Sequence, residues 1–219
     1  MAPSPERSRA WMDQGTDILD RALAAADDET LLGPTRLEGW TGRHLLAHLA
    51  ANADALRNLA TWARTGVETP MYASTDQRDA DIEAGSTRPV PELREWYAAS
   101  AAALAADLDA LTDEQWQRPV RTAQGRTVPA TEVPWMRARE VMVHAVDLGT
   151  GTEFADLPEG FLQDLSEDIR AKRASTPGDH APEVSGPPAQ VAAYLAGRGD
   201  GAGLTTADGS PVPTLPRWL

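Results

Sequence analysis

The chain has no cysteine anywhere in its 219 residues. This excludes disulfides and thiolate metal ligands, so any bound metal must be held by His, Asp or Glu. It also means that thiol chemistry here requires a small-molecule thiol supplied from outside. No stretch approaches the ~18 consecutive apolar residues that a membrane-spanning helix needs, and no basic segment followed by an apolar run opens the chain. The expectation is a cytoplasmic protein with no membrane partner. HExxH, GxSxG and Walker-type glycine loops are also missing. Zincin-type hydrolysis, serine-nucleophile chemistry and P-loop phosphate binding therefore have no support. Basic residues are outnumbered 20 to 33, for a net charge of −13. Such a surface repels phosphate backbones, so nucleic acid is not an expected partner.

The length suits one large domain or two modest ones. Apolar Trp11, Ile18, Leu19, Leu23 and Ala24 recur at helical steps and predict a helix over residues 7–29, broken by Gly33-Pro34. Thr41 is placed to cap a second helix that runs to about Arg64. Residues 65–90 read as a long loop carrying one short helix. Pro91 opens a third helix that ends near Leu111. Asp113–Trp116 then forms a turn, and Val120–Val128, with Gly125, forms a hairpin-like crossing. A fourth helix covers Pro134 to Leu148 and stops at Gly149 and Gly151. Beyond it the pattern becomes mixed: helical over 158–174 and 188–197, extended over 182–186 and 203–208. The expected fold is mainly α, a four-helix bundle over residues 1–151 followed by a small α/β domain over 152–219.

Four histidines are present, and two of them sit in apolar helical surroundings. Glu140 and His144 are four residues apart in a stretch that is apolar nearly all round, so they share a helix face and are buried. A buried glutamate is costly unless it is paired or ligating. His48 lies among Leu and Ala on the second helix and can complete a set of three. Two His and one carboxylate leave a coordination position open, as catalytic zinc sites do. His44, one turn before His48, competes for the same role, although its place near the helix start suits capping or exposure. Asn52 shares the His48 face and can hydrogen-bond a ligand. Asp147, three residues after His144, can orient an imidazole or sit as a surface charge at the helix end.

These residues belong to segments that carry a resemblance: Leu37–Thr41 (LEGWT), His44–His48 (HLLAH), Thr65–Tyr72 (TGVETPMY), Thr122–Ala130 (TAQGRTVPA), Trp135–Arg137 (WMR), Arg139-Glu140, His144–Gly149 (HAVDLG), Ala196–Gly199 (AGRG) and Pro216–Leu219 (PRWL). Nearly end to end, the chain resembles the mycothiol-dependent maleylpyruvate isomerases, which join a DinB-like metal-binding helical bundle to a small C-terminal α/β domain. The resemblance implies zinc on His48, Glu140 and His144, and an activity-essential arginine at Arg198. It implies mycothiol as the thiol and a small dicarboxylate as substrate, within gentisate-type aromatic degradation. The reaction it implies is conversion of maleylpyruvate to fumarylpyruvate by thiolate addition, bond rotation and elimination. Asn52, Arg78 and Arg126 are candidates for contacting the cofactor, and Arg78, Arg126, Arg137 and Arg139 are further candidates for the carboxylates or oxyanion, against the alternative of surface or bundle-bridging ion pairs. A mycothiol S-transferase and a non-enzymatic DinB-like metal-binding protein are the competing readings.

Overall fold

Helix α1 runs Pro5–Ala25 and ends sooner than its apolar periodicity suggests, because Asp27 starts a new helix. The Asp27 carboxylate accepts the Thr30 N–H at 2.8 Å and its hydroxyl at 2.7 Å. That cap opens the short α2, Asp28–Leu32. The computed structural model describes residues 2–176, 178, 181–216 and 218. His180, and Arg217 and Leu219 of the terminal PRWL segment, lie outside the described residues.

Residues 33–41 form a tight loop, closed by Thr35 N–H to Trp40 O (2.9 Å) and Gly42 N–H to Gly33 O (3.1 Å). Helix α3 follows over Gly42–Thr65, about 36 Å of helix. At its start His44 Nδ1 accepts the Thr41 backbone N–H at 3.2 Å and lies 2.8 Å from Thr41 Oγ1. At its end Gly66 takes the left-handed conformation, φ 75°. The expected loop of residues 65–90 contains more helix than its weak periodicity announces: α4 covers Thr75–Ser86, capped by Ser74. Helix α5, Val90–Asp109, and the single turn α6, Asp113–Trp116, come next. Strands β1 (Pro119–Arg121) and β2 (Thr127–Pro129) pair antiparallel with Val120 opposite Val128. A 3₁₀ turn over Ala130–Glu132 then feeds α7, Val133–Asp147.

Helix α1 packs chiefly on α7, α3 packs on α5, and α7 also lies against α3. These four helices and the elements between them make one compact unit, Pro5–Thr150. Its core is leucine-rich along α3 (Leu45, Leu46, Leu49, Leu56, Leu59) and Val/Met/Ala-rich along α7. A second unit gathers the described residues of Met1–Ser4 and Gly151–Leu219. There α8 (Glu159–Ala174) packs on α9 (Pro188–Leu195), and β3 (Val184–Ser185) pairs antiparallel with β4 (Thr205–Thr206). Phe161, Leu165, Ile169 and Leu195 are fully buried in it. Among the described residues no helix is long and apolar enough to cross a membrane.

Gly42 fixes where α3 begins. A Cβ there would lie 2.8 Å from Leu31 Cα and 2.9 Å from Leu31 O, backbone atoms that cannot swing aside. Gly42→Ala is expected to destabilise the protein by roughly 1–3 kcal/mol, read as a lowered midpoint in thermal unfolding followed by circular dichroism.

Candidate metal centre

Helices α3 and α7 face each other with one polar rung between them. On α7, Glu140 and His144 stand one turn apart. On α3, His48 meets them among Leu45, Ala47 and Leu49, all buried. His48 Nε2 is 3.0 Å from Glu140 Oε2, and His144 Nε2 is 3.2 Å from the same oxygen. The two imidazole rings meet edge to face with centroids 5.0 Å apart. One donor atom from each residue thus falls within 4.8 Å of the others, close enough to share a metal ion. His48 and His144 are almost fully covered, and the Glu140 side chain is 16 % exposed. Among the three it is the carboxylate that solvent reaches.

The hydrogen bonds of this trio call for a positive charge. His144 Nδ1 lies 2.9 Å from Asp147 Oδ2, and that bond requires an N–H on Nδ1. In a neutral ring Nε2 is then a bare acceptor, yet it faces a carboxylate oxygen. Either a second proton or a metal ion must sit between them. A His/His/carboxylate set with a carboxylate orienting one imidazole fits a divalent metal of the zinc type.

The titration behaviour follows from the same contacts. Burial alone would raise the Glu140 carboxyl, but hydrogen bonds from His144 and His48 outweigh it and hold the group well below the ordinary carboxylate value. Burial pushes His48 down, against the pull of Glu140. Burial also opposes charge on His144, yet Asp147 and Glu140 together raise it above the usual imidazole value.

The neighbours of the trio differ from what sequence suggests. Asp147 is fully buried, so it orients His144 and is not a surface charge at the helix end. Its backbone carbonyl also accepts the Arg36 N–H at 2.8 Å, which ties the 33–41 loop to α7. That loop presents Trp40, half-buried, 5.5 Å from the His48 ring. His44 is taken up by the Thr41 cap and by Glu83 at 3.4 Å, which leaves His48 as the α3 member of the cluster.

A second polar rung lies alongside. Arg137, one turn before Glu140 on α7, is 1 % exposed. Its Nη1 donates to Leu49 O at 2.7 Å and Asn52 Oδ1 at 2.9 Å. It is therefore a buried cation bonded to neutral oxygens, not a surface arginine. The Arg78 guanidinium stands 6.0 Å from the ring centroid of Tyr72, whose hydroxyl is pushed up chiefly by burial. Arg78 also pairs with Asp79 at 2.8 Å. Arg126 is half-exposed at the β1–β2 turn, 3.6 Å from Glu132, and Arg139 lies over the Trp135 ring. Arg198 belongs to the second unit, where Nη1 donates to Ala196 O at 2.8 Å. Trp40, Arg137 and Tyr72 escape the metal-ligand pattern because none of them is a ligand type. Arg137 does leave one signal, a charge flanked by Trp135, Met136 and Ala138.

Residues 12–149 match the family model described as the mycothiol maleylpyruvate isomerase N-terminal domain. The chain belongs to that family. The whole chain is also similar to a crystal structure of the mycothiol-dependent maleylpyruvate isomerase, at 40 % identity and a TM-score of 0.90, with 99 % of this chain and 98 % of that one covered. A histidine-to-alanine mutant of that enzyme aligns with the same identity and coverage and a TM-score of 0.89. No curated protein matches the chain at the sequence level. The family is one of enzymes, and this chain is a member of it.

Since Glu140 is already ionised and His144 holds its proton more tightly than usual, metal uptake must displace that proton. Apparent metal affinity is expected to rise between about pH 5 and 8. Asp147→Asn is expected to weaken metal binding by roughly 10–100-fold and to flatten that pH dependence, both read by competition with a chromophoric chelator.

Proposed function

We propose that the protein is a zinc- and mycothiol-dependent cis–trans isomerase that converts maleylpyruvate to fumarylpyruvate in gentisate-type aromatic degradation, acting in the cytoplasm. The observation that carries this reading is the end-to-end similarity to the isomerase structure, joined to the convergence of His48, Glu140 and His144. On this reading residues 1–151 form the DinB-like metal-binding part, and residues 152–219 supply a small α/β domain.

His48, Glu140 and His144 would hold the zinc, with Asp147 fixing the tautomer and direction of His144. Zinc bound there would supply the Lewis acidity that keeps a thiol deprotonated or polarises a carbonyl oxygen. Mycothiol would supply the nucleophile that the chain lacks, a thiolate able to add reversibly to the alkene so that the cis bond could become trans and the thiol be returned.

The protein's own residues handle charge and position. The substrate is a dianion and the protein carries −13, so binding needs local cations. Arg198 is assigned to the substrate carboxylates or the developing oxyanion, because its planar fork suits bidentate contact. Arg78 and Arg126 are assigned to mycothiol. Asn52 also serves there, through its amide nitrogen, because its oxygen is occupied by Arg137. The Trp40 and His48 rings and the leucines of α3 keep the inner side of the centre dry, which strengthens every charge interaction inside it.

The deciding experiment combines metal analysis with a maleylpyruvate turnover assay, with and without mycothiol. Isomerisation is expected only with mycothiol, which acts catalytically. Stoichiometric consumption of the thiol would identify an S-transferase instead. His48→Ala is expected to lose both metal and turnover, and retention of both would move the site elsewhere. Arg198→Ala is expected to keep its metal while kcat/KM falls by about 100-fold.

A further inference from the structure

The two imidazoles of the centre are held in different ways. His144 has the usual arrangement of a metal-binding ring: Nε2 faces the centre, and Nδ1 meets the Asp147 carboxylate at 2.9 Å. His48 turns Nε2 to Glu140 at 3.0 Å, but its Nδ1 is covered and has no hydrogen-bond partner among the described residues. The residue is 4 % exposed. A neutral imidazole carries one N–H and one bare nitrogen. Whether Nε2 donates to Glu140 or binds a metal, Nδ1 gains no orienting bond from these residues.

Without such a bond the direction of the ring must come from packing, because the terminal torsion of a histidine is broad and roughly two-fold. A flat wall is in place. The Trp40 indole stands with its centroid 5.5 Å from that of the His48 ring, tilted by 59°. It also reaches His44, one turn earlier on α3, at 6.4 Å and 27°. The His144 ring closes another side, edge to face at 5.0 Å. Trp40 is itself fixed. Its carbonyl accepts the Thr35 N–H and the Thr35 hydroxyl, each at 2.9 Å, and its own N–H donates to Leu37 O at 3.0 Å. His44 is pinned in turn, by the Thr41 backbone N–H at 3.2 Å and by Glu83 at 3.4 Å.

We propose that Trp40 is a positioning residue for the metal centre: its indole does for His48 by contact what Asp147 does for His144 by a hydrogen bond. The proposal rests on the zinc-binding part of the reading given above. A turn of the His48 ring about its terminal torsion would carry Nε2 away from Glu140 and His144, and the indole takes the room for that turn. Contact fixes direction without fixing a proton. A hydrogen-bond acceptor at Nδ1 would also make Nε2 a stronger ligand, and the indole does not. The two imidazoles are therefore unequal, His144 oriented and strengthened, His48 oriented only. One loop serves both, since residues 33–41 carry Trp40 and also meet α7 through the Arg36 N–H to Asp147 O bond of 2.8 Å.

The test uses the full-length protein, stripped of metal and titrated with zinc against a chromophoric chelator. Trp40→Ala is expected to weaken zinc binding about tenfold, the lower end of what loss of an orienting neighbour costs. Trp40→Phe keeps a flat ring and is expected to recover most of the loss. If Trp40→Ala does not fold, Trp40→Leu takes its place, keeping apolar bulk without the flat face. A further readout needs no metal. In protein carrying isotope-labelled histidine, magnetic resonance should show sharp His48 ring signals in wild type and Trp40→Phe. In Trp40→Ala they should broaden through exchange between ring orientations, while the His144 signals stay sharp in all three. Wild-type zinc affinity in Trp40→Ala, a loss that Phe does not recover, or equal broadening at His144 (a general loosening of the helices) would each overturn the proposal. If the wild type binds no zinc, the metal reading falls and the His48 signals alone decide. Signals as sharp in Trp40→Ala as in wild type then overturn it.

Discussion

One carboxylate oxygen, Glu140 Oε2, stands between two imidazole nitrogens brought by different helices, and the arrangement of the helical unit follows from keeping it there. A carboxylate in this setting loses most of its water and must recover the loss from fixed partners. His48 can do this as a neutral ring that donates Nε2–H, whereas His144, whose Nδ1–H is spent on Asp147, does so only with a second proton or a metal ion between it and Glu140. The centre therefore calls for a positive charge between His144 and Glu140, and the helices must hold the three side chains in register for it.

Packing supplies the rigidity. Helix α7 is buried along nearly its whole length because α1 covers one side and α3 the other. The α1–α7 crossing is close at Gly15, where a Cβ would come within 2.7 Å of both Val141 and Met142 side-chain carbons. A small residue there lets the two helices approach and fixes the rotation of α7, and with it the direction of Glu140 and His144. The Arg137 guanidinium is buried in the same helix. Its hydrogen bonds to a backbone carbonyl and an amide oxygen tie α7 to α3 one turn from the centre.

Much of this was legible in the sequence, for identifiable reasons. The i, i+4 spacing of Glu140 and His144 in an apolar stretch implies one buried face, and Leu45–Leu49 places His48 on another. The long helices, the 119–129 hairpin and the glycine stops carry strong local signals. Residues 65–90 read poorly because α4 is polar on most sides and buries only Ile82, Gly85 and Ser86, so no apolar stripe announces it. The break after Ala25 was hidden because the apolar rhythm runs through it, while the side-chain cap at Asp27 decides the matter locally. Asp147 was ambiguous for a different reason. Its spacing from His144 suits an orienting role, but burial at a helix end depends on the 33–41 loop folding back, and that is a long-range event.

That fold-back joins two things which otherwise have separate lives. Asp147 uses its carboxylate on His144 and its carbonyl on the Arg36 amide, so one residue is both the lever on an imidazole and the hinge post of the loop that carries Trp40. Any opening that frees the Arg36 amide loosens the lever as well. Exchange of that single amide hydrogen with solvent thus becomes a clock for how often the centre comes undone, and filling the centre with a cation slows the clock.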